Sequence, residues 1–281
     1  MHFELKAIDH TVSLQEFEIW ECSNCTLRFT QNVPDVNTIG NFYQSENYIS
    51  HSNTRKGIIN NLYHIVRKLT LSNKRRLILS LTGLREGKLL DIGAGTGAFV
   101  RFMKNNGWNV TGLEPDESAR VQAQSINNIQ LLASDIFFDL PADSFDVITM
   151  WHVLEHVHDL DKYLEQLKKL IKLHGKVFIA VPNYTSFDGS FYGNSWAAYD
   201  VPRHLFHFSP LSLKNLFNRH GFELQSTRVM WYDSFYISFL SEQYKKNKLG
   251  FMRAPLVGFF SDFNAFVNKE RSSSIIYIIN K

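Results

Sequence analysis

LLDIGAGTGAFV, residues 89–100, sets three glycines at alternate positions directly after an apolar run, with Asp91 two residues ahead of the first glycine. KLLDI (88–92) reads as a buried strand, and AFVRFMKN (98–105) as a helix closed by Gly107. Glycine accepts positive φ and lets a ligand approach the backbone, and the helix that follows begins with unpaired N–H groups. Gly93, Ala94, Gly95 and Gly97 therefore form a bare, tight loop at a strand end. Gly93, Gly95 and Ala98 also satisfy the dinucleotide pattern GxGxx(G/A), so the loop alone leaves a nicotinamide cofactor open.

Outward from this loop the chain alternates strand and helix. WNVTGL is the second strand and Asp116 to Gln124 a helix; IQLLAS is the third strand and FDVITMW the fourth. Leu160 to Leu173 is an amphipathic helix ending at Gly175, KVFIAV is a fifth strand stopped by Pro182, and FELQSTRVMWY and SSIIYIIN are two late strands. Short links between alternating elements imply an α/β fold with a mostly parallel sheet covered on both faces. Ligands of such sheets sit outside the carboxyl ends of the strands.

Four features at those ends separate the candidate ligands. Asp91 puts a negative charge beside the loop, which repels a pyrophosphate but suits a ligand bearing an ammonium and a sulfonium. Glu114, followed by Pro115, closes the second strand at the spacing where an acid reads a ribose diol. Asp135 and Ile136 close the third, where an acid and a neighbouring N–H can read adenine. The fourth strand runs into WHVLEHVHD (151–159), a block foreign to the dinucleotide fingerprint.

LLDIGAGTGAFV, VTGLEPD, LLASDI, FDVITMWHVLEHV and GKVFIAVPN, in this order over residues 87–183, resemble the successive motifs of class I S-adenosylmethionine-dependent methyltransferases. The resemblance implies a Rossmann-like seven-stranded sheet whose last strand is antiparallel between the fifth and sixth. It implies that Asp91 and the loop Gly93 to Gly97 line the methionine moiety, that Glu114 takes the ribose hydroxyls, and that Asp135 and Ile136 take the adenine. Trp151 and His152 fall where the fourth strand of that family touches the cofactor. The implied activity is methyl transfer to a small-molecule acceptor whose nucleophile (O, N or C) stays open. An NAD-dependent oxidoreductase and a non-catalytic S-adenosylmethionine-binding protein are the alternatives.

On the acceptor side, His152 reads either as cofactor-site lining or as a general base, and Glu155 and His156 either as groups tying down a loop or as catalytic. After the fifth strand, 184–210 is an insertion rich in aromatic and ionisable groups. Tyr199, Asp200, Arg203, His204 and His207 are its substrate-contact candidates, with His204 a candidate base. A second insertion spans 233–270; its basic, apolar stretch 244–260 reads as ordinary packing or as membrane-surface contact.

Ahead of the sheet, residues 1–50 read as a small appendage of antiparallel strands (FELKAI, FEIWEC, TLRFT) around Cys22 and Cys25. Residues 51–86 form a helical cap and 87–281 the cofactor-binding domain. One CxxC is half a tetrahedral zinc site, so no metal is expected unless Cys22 and Cys25 keep a partial one. The resemblance extends to a bacterial group with zinc-ribbon-like N-termini and the DVPRHLFHFSP segment, in which a first CxxC precedes this one; the expectation is a degenerate ribbon. Tyr43, Tyr48 and His51 read as a lid or a hydrophobic staple, and Gly57 to Thr82 as one long helix or two broken near Ser72 and Asn73.

Composition narrows the class. The 281 residues are 44% hydrophobic and 20% charged, with a net charge of +3 spread along the chain, so no nucleic-acid partner is expected. The sequence shows no signal peptide and no apolar run of the roughly 20 residues that span a membrane, so the expected location is the cytoplasm. Oligomeric state stays open.

Overall fold

The computed structural model describes residues 1–43 and 58–281, with side chains from residue 69 onward in the first helix. Tyr48 and His51 lie outside the described residues. In chain order the elements are β1 (His2–Ile8), β2 (Glu16–Glu21), β3 (Arg28–Thr30), α1 (Ile58–Thr82), β4 (Lys88–Ile92), α2 (Ala98–Lys104), β5 (Asn109–Leu113) and α3 (Glu117–Asn127). They continue with β6 (Phe145–Trp151), α4 (Leu160–Leu170), β7 (Ile171–Pro182), α5 (Phe187–Tyr192), β8 (Phe206–His207), α6 (Pro210–Arg219), β9 (Glu223–Val229), α7 (Asp233–Tyr244), α8 (Gly250–Val267) and β10 (Ser274–Asn280).

A six-stranded mixed sheet runs β5-β4-β6-β7-β10-β9, so the final strand lies between the fifth and sixth, as expected. β4 is flanked in parallel by β5 and β6, with Leu89 opposite Val110 on one side and Val147 on the other. A strand walled on both edges and both faces has no solvent side. That is why Leu89 and Leu90 are fully buried and Asp91 nearly so.

Six strands form where seven are expected. In place of the third strand, residues 129–133 make a single parallel bridge, Leu113 with Leu132. The cause is local: Asn128 caps α3 in the left-handed region at φ 52°, and Ser134–Asp139 already coils into a 3-10 turn. The segment between them bonds β5 through Leu132, whose N–H goes to the Gly112 carbonyl and whose own carbonyl takes the Glu114 N–H. The boundary of α4 also differs: the helix stops at Leu170 and β7 starts at Ile171, ahead of Gly175. Ser144 and Asp143 donate their backbone N–H groups to Leu170 and Lys169, and Lys172 pairs with Asp146 at 2.6 Å, which draws 169–172 into the sheet. α1 is one unbroken helix, ended by Gly83 at φ +71°, whose N–H returns to the Leu79 carbonyl.

The described residues divide into two compact units: 1–43, 152–164 and 179–279 in one, and 58–151, 165–178 and 280–281 in the other. The first contains the antiparallel sheet β1-β2-β3-β8. Its last strand comes from the 184–210 insertion: Arg28 pairs with His207 and Phe29 with Phe206. Ala7, Phe17 and Ile19 share a core with Trp196, Tyr199, Val201 and Ile237, so the insertion packs as an integral layer over the N-terminal strands. Within the same unit α8 exposes Phe251, Met252, Leu256, Phe259, Phe260, Phe263 and Phe266.

Candidate functional site

The glycine loop is built as its sequence requires. Gly93, Gly95 and Gly97 all have positive φ, at 71°, 54° and 74°. Nothing lies within 4 Å of where a Cβ on Gly95 would stand, so the loop leaves open space there. Gly97 is different: its Cβ would meet Ala123 at 3.2 Å and Ile129 at 3.3 Å. Gly97→Ala therefore combines backbone strain with crowding and is expected to cost more than about 1 kcal/mol. A thermal melt showing no loss of stability contradicts this.

Two acids frame the loop. Glu114 accepts the Gly95 N–H at 2.7 Å and the Asp116 N–H at 3.1 Å, which ties the end of β5 to the turn after β4. Burial raises the Glu114 pKa, against the pull of those two N–H groups. Asp91 is 2% exposed and accepts the Thr149 hydroxyl at 2.6 Å. Burial pushes its pKa up to about 7, with the Thr149 hydrogen bond and the Lys74 charge opposing. Asp135 is exposed and accepts the Ile136 N–H at 3.0 Å. Trp151 stacks edge-on with Phe99 at 5.8 Å and lies 4.1 Å under the Lys74 ammonium, while its own indole N–H is buried without a partner.

Sequence reasoning missed Thr149 and Lys74. Thr149 had a signal, as the one hydroxyl inside the apolar strand FDVITMW. Lys74 had none, because its position over an indole 77 residues away follows from helix docking alone.

Several ionisable residues of the other unit form a connected cluster. His152, at φ 58°, places Nε2 3.1 Å from Asp233 and Nδ1 3.4 Å from Glu155. Burial alone lowers the His152 pKa, but the two carboxylates overcome it and raise it to about 10. The ring is thus an imidazolium at neutral pH, suited to holding charge and poorly suited to taking up a proton. Asp233, which has no motif near it, also escaped the sequence reading.

The substrate-contact candidates are closely engaged within this unit. Arg203 is 1% exposed and donates Nε and Nη2 to Asp200, Nη2 to Asp9 at 3.2 Å and Nη1 to the Phe42 carbonyl at 2.8 Å. Tyr199 is buried and its hydroxyl receives Arg28 Nη1 at 2.9 Å. His207 is buried at 3.0 Å from the Thr30 hydroxyl, and burial holds its pKa well down. His204 Nδ1 lies 2.8 Å from the Ala198 carbonyl. His156 Nδ1 lies 2.9 Å from the Arg203 carbonyl and 3.0 Å from the Tyr43 hydroxyl, which ties Tyr43 down.

Cys22 and Cys25 are free thiols in the turn between β2 and β3. Among the described residues no further cysteine, histidine or carboxylate joins them in a metal-binding group.

A parallel α/β sheet with a glycine loop and acids at successive strand ends defines a Rossmann-like domain of the nucleotide-cofactor class. Residues 64–227, more than half of the chain, match a family model described as a methyltransferase domain, and the chain belongs to that family. The ubiquinone biosynthesis O-methyltransferase of Pseudomonas aeruginosa is 32% identical over 109 residues, covering 36% of this chain and 47% of that protein. The match spans about half the length of such curated relatives. An S-adenosylmethionine-dependent methyltransferase from Archaeoglobus fulgidus superposes with a TM-score of 0.51 at 21% identity, covering 76% of this chain and 94% of that one. The cyclase SpnF superposes at 0.52 with 17% identity over 74% of this chain and 80% of its own. These two likenesses concern the fold, and the cyclase illustrates that one fold carries more than one chemistry.

Proposed function

We propose that this chain binds S-adenosylmethionine and transfers its methyl group to a small-molecule acceptor. The observation that carries the reading is the frame around the loop: a glycine turn with open space at Gly95, a buried Asp91 behind it and Glu114 gripping its amide. The donor set fits the cofactor's chemistry. Asp91 offers a carboxylate for an ammonium, Glu114 has remaining lone pairs for a ribose diol, and the exposed Asp135 offers an acceptor for the adenine amine, with the Ile136 N–H available once it exchanges Asp135 Oδ1 for a ring nitrogen. Gly93, Ala94, Gly97, Pro115 and Trp151 complete the cradle by shape. The cofactor supplies an electrophilic methyl carbon on a sulfonium; what the chain adds is orientation and exclusion of water.

The relatives' name points to a phenolic hydroxyl as acceptor class, and O-methylation is the version of the proposal to test first. The assay is release of S-adenosylhomocysteine with a panel of phenols, amines and carbon nucleophiles. Turnover with phenols supports the reading, and turnover confined to amines redirects it. His152 holds a positive charge and is assigned no base role, and Arg203, Asp200, Tyr199 and His207 are assigned to positioning the acceptor-side loop. The exposed aromatic row of α8, with Lys245, Lys246 and Lys248 ahead of it, supports surface contact with an anionic membrane. No helix among the described residues is long and apolar enough to cross one.

Binding should depend on pH through Asp91. Its carboxyl is neutral below its raised pKa of about 7, and only the ionised form attracts an ammonium. The apparent Kd for S-adenosylmethionine should therefore fall by about tenfold between pH 6 and pH 8 and level off above, with a proton released on binding at pH 6. Asp91→Asn should flatten the profile at the weak end. A wild-type profile as flat as the variant's contradicts the assignment.

A further inference from the structure

We propose that Glu155, His156 and His204 form a binding site for a divalent transition-metal ion, held by the Glu155 carboxylate and the Nε2 atoms of the two imidazoles. One ligand atom from each of the three residues lies within 4.8 Å of the other two, a spacing that a single ion can bridge. The rings of His156 and His204 meet edge to face at 4.6 Å.

Two features of these side chains point to a cation. Glu155 is 1% exposed, and among the described residues neither carboxylate oxygen has a hydrogen-bond partner. The His152 imidazolium approaches Oε1 at 3.4 Å, on one side of the carboxylate. A buried carboxylate oxygen without a hydrogen bond of its own is costly, and a bound cation on that side relieves the cost. Both histidines are set in the same tautomer. A backbone carbonyl only accepts, so His156 Nδ1 at 2.9 Å from the Arg203 carbonyl and His204 Nδ1 at 2.8 Å from the Ala198 carbonyl must each carry the proton. In the neutral ring the ligating lone pair is then on Nε2. Metal-binding histidines are oriented by this same kind of second contact.

The site is also rigid. Glu155 and His156 sit in the short turn after β6, where the Glu155 carbonyl accepts the Leu205 N–H at 2.8 Å. His204 is fixed from its own backbone N–H to the Asp200 carbonyl, and Arg203 beside it is locked to Asp9 and Asp200. Asp200 Oδ2, 3.9 Å from His204 Nε2, adds negative charge nearby.

Two imidazoles and one carboxylate suit borderline divalent ions (zinc, cobalt, iron) over magnesium or calcium, which prefer oxygen alone, with the harder manganese bound more weakly. Three protein ligands leave open coordination positions, as in catalytic and not structural sites. An oxygen ligand taken up there loses a proton more readily. The site stands on these residues alone and is independent of the cofactor reading.

The test uses Co2+ as the probe, titrated into EDTA-treated, dialysed full-length protein in which Cys22→Ser and Cys25→Ser remove the thiols. Expected is one Co2+ per chain with a visible absorption band. Glu155→Gln and His204→Gln should each raise its Kd at least about tenfold. No binding to the thiol-free protein overturns the proposal, as does binding that neither substitution weakens. Should a variant lose its near-UV circular dichroism, the thiol-free parent decides through imidazole NMR. Mn2+-induced broadening of His156 and His204 supports the site, and broadening confined to other histidines overturns it.

Discussion

Replacing Glu114 by alanine is expected to weaken S-adenosylmethionine binding by about a hundredfold. Hydrogen bonds to a charged acceptor contribute roughly 1.5–3 kcal/mol each, and each 1.4 kcal/mol is tenfold in affinity. A carboxylate reading both hydroxyls of a ribose accounts for about that loss. The substitution also strands the Gly95 and Asp116 N–H groups that Glu114 now receives, so the loop loses its anchor as well as its ligand contact. Glu114→Gln separates the two effects. It keeps an oxygen acceptor for Gly95 but loses the charge, and a loss of about tenfold is expected. Calorimetry on both variants, with circular dichroism as a folding control, checks the pair. Unchanged affinity in the folded alanine variant removes Glu114 from the cofactor site.

Replacing Arg203 by methionine is expected to destabilise the unit containing it by about 3–5 kcal/mol, because removing one partner of a buried pair leaves the other's charge uncompensated. Asp9 is wholly buried at its side chain and Asp200 is 17% exposed, so water replaces little of what the guanidinium supplies. Lysine is a poor substitute, since Arg203 uses three nitrogens toward four acceptors in a planar fork. Burial opposes the ionised form of Asp9, yet the Ser13 N–H, Arg203 and Thr11 outweigh it and lower its pKa from 3.8 to about 2. A depressed carboxyl pKa contributes stability above its unfolded value that is lost as pH falls through the folded one. The Asp9 share should therefore disappear between about pH 4 and pH 2. Urea melts of Arg203→Met and Asp9→Asn, alone and together, test the coupling. Additive losses contradict it.

The parts of the molecule that were legible in the sequence are those with short-range causes. KLLDI announces a central strand because a strand paired on both edges must be apolar throughout, Asp91 excepted. The six central strands that form and the antiparallel pairing of residues 1–30 follow from such patterns, whereas the position of β10 followed from the family resemblance. IQLLAS was apolar enough to be a strand, but the left-handed cap at Asn128 sets its entry and the turn takes its last residue, Ser134, a competition that apolar periodicity does not register. The candidate cofactor acids were visible because each stands at or near the end of an apolar run. The ionisable cluster was visible only as a list. Arg203 meets Asp9 across 194 residues, His152 meets Asp233 across 81, and nothing local ties them. Density of titratable groups in 199–207 suggested substrate contact, whereas the geometry commits Arg203 and Tyr199 to ion pairs and hydrogen bonds within their own unit. The same distance explains why Glu155, His156 and His204 did not present themselves as a ligand set: 48 residues separate the pair from the third.

The central claim is the cofactor, and isothermal titration calorimetry at pH 8 tests it most directly. The account predicts one site per chain for S-adenosylmethionine and for S-adenosylhomocysteine, abolished or strongly weakened in Glu114→Ala, and no heat with NAD. Binding of NAD with no response to either adenosyl ligand contradicts it.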